Sequence, residues 1–248
     1  MNQSDRTDEL GAPRQQFPAT RWSVVLAARQ NDRGRAAAAL DELCRAYWFP
    51  IYVYVRRCGY PPADAEDLTQ GYFAALIERN YFAQADSDKG KLRSFLLTTL
   101  KHFMADEWSK AGALKRGYGK TIISIDAAQA EERYGFEPAD EASPDKLYEK
   151  RWALTVLDNV LNALRGDYAR SGQGKLFDTL QPFIAWNSGN DAYRDVAATL
   201  GMKETAVRVA IFRLRRRYGD LLRAQIANTV ASPDDIPAEL DYLFSLLR

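Results

Sequence analysis

Arg208, Arg213, Arg215, Arg216 and Arg217 crowd the second half of a segment reading YRDVAATLGMKETAVRVAIFRLRRRY, which begins at Tyr193. Guanidinium groups are planar, permanently charged and able to donate paired hydrogen bonds, which suits phosphate oxygens and guanine edges. Such chemistry needs a rigid element to aim it, and the residues just before supply one. Ala197, Gly201 and Val207 fall at the three steric positions of a helix-turn-helix. A small residue lets two helices approach, Gly takes a left-handed turn, and a β-branched residue closes the angle. Val196, Leu200, Ile211 and Leu214 complete the inward face. The plainer alternative is a helical hairpin with a solvated basic face, but the concentration of arginines on the second helix favours DNA. In that reading Lys203, Glu204, Thr205 and Arg208 lie nearest base edges in the major groove, while Arg213, Arg216 and Arg217 pass the phosphate backbone.

Two further stretches carry candidate chemistry. DAEDLTQGYFAALIER, from Asp64, puts Asp67, Gln70 and Ala74 on one helix face, opposite Leu68, Tyr72 and Leu76. With Phe73 beside them, Asp67 and Gln70 could form a protein-docking surface, or simply an ordinary amphipathic helix. GKLRSFLLTTLKHFMADEW, from Gly90, repeats Leu92, Phe95, Leu96, Thr99, Leu100, Phe103, Met104 and Trp108 at three- and four-residue steps. Trp108 continues that stripe and is expected in the core. Phe82, Arg93, Ser94, Lys101, His102 and Lys110 fall on the preceding loop or the exposed face, where an aromatic ring beside cations can hold unstacked bases.

The elements that position these residues are helical nearly everywhere. A first helix begins at Trp22, and a second runs from about Arg35 to Cys58, broken or bent near Pro50. Asp64 caps a third, to about Arg79. Between Gly117 and Pro144 the periodicity fails; the short run Ile122–Ile125 suits a strand or extended piece. Helical spacing resumes near Lys146, with Asn187–Asn190 as a turn. The expectation is an all-α chain with a flexible leader (1–19), a first helical unit (20–117), an acidic linker (118–145), a second unit holding the helix-turn-helix (146–228) and a tail helix (229–248). The tail stripe of Leu240, Leu243, Phe244 and Leu247 is expected to pack on the second unit.

Composition narrows the function classes. The formal net charge is only +1, yet Lys203–Arg223 is strongly basic and Asp126–Glu149 acidic, and local stripes decide whether phosphates are attracted. No apolar run approaches the roughly 20 residues that span a bilayer, and the polar first residues lack a signal-peptide core, so a cytoplasmic protein without membrane contact is expected. Cys44 and Cys58 make no metal-ligand spacing and His102 is the single histidine, so no metal or cofactor is expected.

Taken in order, DAEDLTQGYF, GKLRSFLLTTLKHFMADEW and the helix-turn-helix from Tyr193 resemble the extracytoplasmic-function (ECF) sigma factors of bacterial RNA polymerase over about Leu40 to Arg223. The resemblance implies a sigma domain 2-like bundle and a sigma domain 4-like helix-turn-helix joined by a linker. It implies core RNA polymerase as partner, through the β′ clamp helices and the β subunit, and promoter DNA as ligand, hence a nucleoid-associated protein. The helix from Asp64 would dock on the clamp, Tyr81–Lys91 and the next helix would grip the −10 element, and the last helix-turn-helix would read the −35 element. It leaves open control by an anti-sigma factor or a regulatory kinase. Lys203 stands where many relatives have a small capping residue, and Thr205 near a usual Gly.

An enzyme is the first rival. Gly119-Lys120-Thr121 approaches a phosphate loop, but Leu114 occupies a required glycine position and a helix precedes it, so no catalytic residue is assigned. A helix-turn-helix regulator working without polymerase leaves DAEDLTQGYF unexplained. A sigma-like adaptor that does not itself direct initiation is the third alternative.

Overall fold

The computed structural model describes residues 33–78, 91–111, 131, 134, 143–185, 190–230 and 232–248. The expected leader, the helix from Trp22, Phe82, Ile122–Ile125 and most of the acidic linker lie outside them. Among the described residues every regular element is helical, as expected of an all-α chain.

Helix α1 (Arg33–Arg57) is buried on every side over residues 46–55: Tyr47, Ile51 and Val55 face one way, and Ala46, Phe49 and Val53 the other. Of the break or bend expected at Pro50, the break does not occur, and the helix runs through the proline. A proline inside a helix costs about 3 kcal/mol, and burial of the flanking aromatic and aliphatic side chains offsets that cost. The left-handed Gly59, at φ 96°, ends the turn. Helix α2 (Pro62–Glu78) starts earlier than the expected Asp64 cap, because proline suits a first helical position that needs no amide donor.

Helix α3 (Leu92–Ala111) lies against α2. The Tyr72 hydroxyl donates to the Leu96 carbonyl at 2.7 Å and meets Thr99 Oγ1 at 2.7 Å, which fixes the register of the two helices. Gly71 faces the Phe103 ring; a Cβ there would sit 3.4 Å from Cζ, in van der Waals contact with it.

Helix α4 (Pro144–Arg170) is the spine of the fold. Ser143 caps it by accepting from the Lys146 amide at 3.4 Å. Its Leu147, Tyr148, Trp152, Ala153, Val156 and Val160 pack with α1–α3, and the Trp152 indole donates to the Tyr47 hydroxyl at 3.1 Å. One turn later Leu164 joins a second cluster with Phe177, Leu180, Val196, Val207, Ile211 and Leu214. That cluster is built by α5 (Gly174–Leu180), α6 (Asn190–Leu200) and the first half of α7 (Glu204–Ala227). Leu222 and Ile226, at the far end of α7, return to the first cluster.

The last helix is α8 (Ile236–Ser245). It packs on the far half of α7, within the expected second unit, and reaches α3 as well, with Leu243 buried and Leu240 and Leu247 half-buried; of the expected stripe only Phe244 is exposed. The reason is the direction of α7, whose long C-terminal half carries the chain back to the start of α3, where the Leu92 amide donates to the Thr229 carbonyl at 3.4 Å. No helix among the described residues is long and apolar enough to cross a membrane.

Candidate nucleic-acid interface

The helix-turn-helix closes as its three steric residues require. Ala197 and Val207 are buried, and Gly201 sits at φ 63°. The Met202 amide donates back to the Ala197 carbonyl at 2.9 Å, the long-range bond of a glycine-terminated helix. Val207, Ile211 and Leu214 then turn one side of α7 into the core.

The opposite side is read off the same spacing. Thr205, Val209, Phe212 and Arg216, at steps of four, three and four, are all exposed. Val209 is 49 % and Phe212 65 % exposed. The charge pattern marks neither residue; their signal in the sequence is an apolar pair at helical spacing facing away from the inward stripe.

The basic residues of this segment divide into distinct roles. Lys203 is exposed at the N-cap of α7 and makes no side-chain capping bond. Arg208 is drawn back, its Nη2 2.7 Å from Glu204 Oε1 and its guanidinium 4.6 Å over the Tyr193 ring. Arg213 edges a groove between α4, α5 and α7. Arg215 donates to the Phe183 carbonyl at 2.8 Å. Arg217, expected on the backbone, is tied to Asp167 of α4 at 2.7 Å, and its hydrogen bond holds that carboxyl below its usual range. Arg216 is exposed at the centre of the outward side.

On α3 the outward stripe is Ser94, Thr98, Lys101, Ala105 and Trp108, all exposed. Trp108 was expected in the core and is instead 78 % exposed. Counted from Leu100 and Phe103, inward steps fall at 104 and 107, so 108 swings past the core edge. His102 is exposed, and Lys101 Nζ lies 2.6 Å from Asp145 Oδ2 at the start of α4. Lys110 lies within α3, but its side chain is not among those described.

Arg93 contradicts its expected place on the exposed face. It is 5 % exposed, paired with the fully buried Glu239 of α8. Its guanidinium lies 4.7 Å from the Trp152 ring centre and 4.3 Å from that of Tyr242. Glu239 also meets Lys91 Nζ at 2.5 Å, and the Tyr242 hydroxyl donates to Glu149 Oε2 at 2.5 Å. Burial, then the neighbouring Arg93, hold the Lys91 ammonium below its ordinary pKa. The physical reason for the misplacement is that α8, not solvent, covers the flank of α3 beside its outward stripe.

The expected docking residues on α2 also separate. Asp67 is exposed, and Gln70 is half-buried, donating to Glu66 at 2.9 Å. Phe73 is in the core beside Tyr72, ring centres 5.5 Å apart, so it belongs to packing and not to a docking face.

No protein-family model, no curated protein and no solved structure matches the chain.

Proposed function

We propose that the chain is an ECF-type sigma factor, which binds core RNA polymerase, recognises the −35 and −10 elements and helps open the promoter. The observation that carries this reading is the pairing, on one chain, of a closed helix-turn-helix with a separate helix whose outward stripe presents Lys101 and the exposed Trp108. A regulator that binds only duplex DNA has use for the first and none for the second. Strand opening needs an exposed ring for an unstacked base and a cation for the phosphate beside it.

In this reading α1–α3 form the sigma domain 2-like unit, α4–α7 (146–228) the domain 4-like unit, and 118–145 the linker. Asp67 on α2 meets the β′ clamp helices. Lys101, His102 and Trp108, with Phe82 on the preceding loop, engage the −10 strand. Lys203, Glu204, Thr205 and the outward side of α7 enter the −35 major groove.

The test is binding to core RNA polymerase. The parent chain should co-purify with the core enzyme, and Asp67→Lys should weaken that binding while keeping its helical circular-dichroism spectrum. A parent chain that does not bind core polymerase contradicts the reading.

A further inference from the structure

We infer that Val209 and Phe212 read thymine methyl groups, an assignment that rests on the helix-turn-helix entering DNA. An exposed apolar pair costs solubility and makes no contribution to the core, where Val207, Ile211 and Leu214 already fill the inward side. The pair is centred between Thr205 and Arg216 on the outward side of α7, with Lys203 at the helix start. A protein partner that filled this side would have to face Lys203 and Arg216 too, whereas DNA supplies anions at both ends and apolar methyls between them. In the major groove the C5-methyl of thymine is the apolar group that distinguishes it from cytosine, and apolar side chains recognise it by contact. Arg208, held by Glu204 and Tyr193, leaves that central position to Val209.

The experiment is duplex selection with the full chain from a random pool, followed by replacement of each thymine with deoxyuridine, which removes only the methyl. The parent should lose about fourfold in affinity per methyl contacted, as for taking one methyl-sized group out of apolar contact. Val209→Ala and Phe212→Ala should bind more weakly and become indifferent to the deoxyuridine change. Selection of a duplex that the parent binds equally with thymine or deoxyuridine overturns the inference alone. Failure to enrich any duplex overturns the DNA reading beneath it.

A different observation carries a second inference: the structure assigns α8 the role of an intramolecular latch over the flank of α3. Glu239 and Tyr242 engage Arg93 and Lys91 at the start of α3, which follows the segment carrying Phe82 that the proposed function gives to the −10 strand. The carboxylate stands where a nucleic-acid phosphate would meet the same two cations. Because α8 follows directly from α7, the latch also ties the helix-turn-helix to α3 and α4 in one closed arrangement.

The probe is a fluorescent single-stranded DNA of random sequence, about 20 nucleotides long, enough to span a binding groove. Glu239→Gln and a chain ending at Thr229 should each bind it about fivefold or more tightly than the parent, and adding Arg93→Ala should abolish the gain. Hydrogen exchange on the parent protects against an unfolded variant: added DNA should speed exchange of the amides in 236–245. Released variants that bind no more tightly, or a parent whose 236–245 amides stay protected with DNA bound, overturn the latch. A gain that survives Arg93→Ala shows that Arg93 is not the cation uncovered, which overturns the latch and leaves the polymerase reading standing.

Discussion

Glu239 on α8 lies fully buried against Arg93 on α3, with the Arg93 guanidinium held between the rings of Trp152 and Tyr242. Removing one partner of such a pair strands the other charge away from water. Glu239→Ala is therefore expected to destabilise the protein by about 3–5 kcal/mol. Urea unfolding checks this as a lower midpoint with an unchanged slope. The double change Arg93→Met with Glu239→Leu should recover most of the loss, because it leaves no buried charge. A single-variant loss below about 1 kcal/mol would mean that the two side chains are hydrated.

Lys203 gives the start of α7 no side-chain cap. Replacing it by Ser lets a hydroxyl accept an orphan amide, and Lys203→Ser should stabilise the fold by about 0.5–2 kcal/mol. The same change removes a cation from the proposed groove-facing end, so duplex affinity should fall and its salt dependence should become shallower. Thermal melts and salt titrations of DNA binding, run on the same pair of proteins, read both effects.

Glu131 receives hydrogen bonds from Arg56, 2.8 Å away, and from the Tyr52 hydroxyl. The Arg56 hydrogen bond is the main cause holding the Glu131 carboxyl below its ordinary pKa, against the opposing effect of burial. A lowered carboxyl pKa adds stability that is present above the unfolded value and lost as pH falls through the folded one. The stability gap between the parent and Glu131→Gln should thus be constant above about pH 5.5 and shrink below about pH 4.5. Urea midpoints across that range measure it; a gap that does not change with pH would place the contribution in packing instead.

Much of this was legible in the sequence because it depends on spacing. The helix-turn-helix needed only Ala197, Gly201 and Val207, since each answers a local steric demand, and the inward stripes of α3 and α7 follow from a 3.6-residue period. What the sequence hid was tertiary. Pro50 reads as a break or a bend, yet burial around residues 46–55 carries the helix through it. Trp108 reads as core until the true inward positions are counted from Leu100 and Phe103. Arg93 reads as an exposed cation because nothing local announces that α8, from the opposite end of the chain, returns to cover it. Phe73 was misplaced by being grouped with the polar residues beside it, when it packs against Tyr72.

In the proposed function, Trp108 is the residue that separates duplex recognition from strand opening. Trp108→Ala removes a ring that makes no core contribution, so stability and duplex binding should stay near parental values. Opening of the promoter should fall about tenfold or more, in line with about 1–3 kcal/mol for stacking one base on an aromatic ring. Permanganate reactivity of thymines around the −10 element checks the opening, and filter binding checks the duplex.

Run-off transcription with core RNA polymerase on a library of promoter fragments, with and without the protein, asks directly whether the chain directs initiation. Discrete transcripts should appear only when the protein is added. They should be lost with Trp108→Ala on duplex templates and return on templates already opened around the −10 element. Core polymerase that yields no protein-dependent transcript from any template, with the protein folded and in excess, would contradict the proposed function.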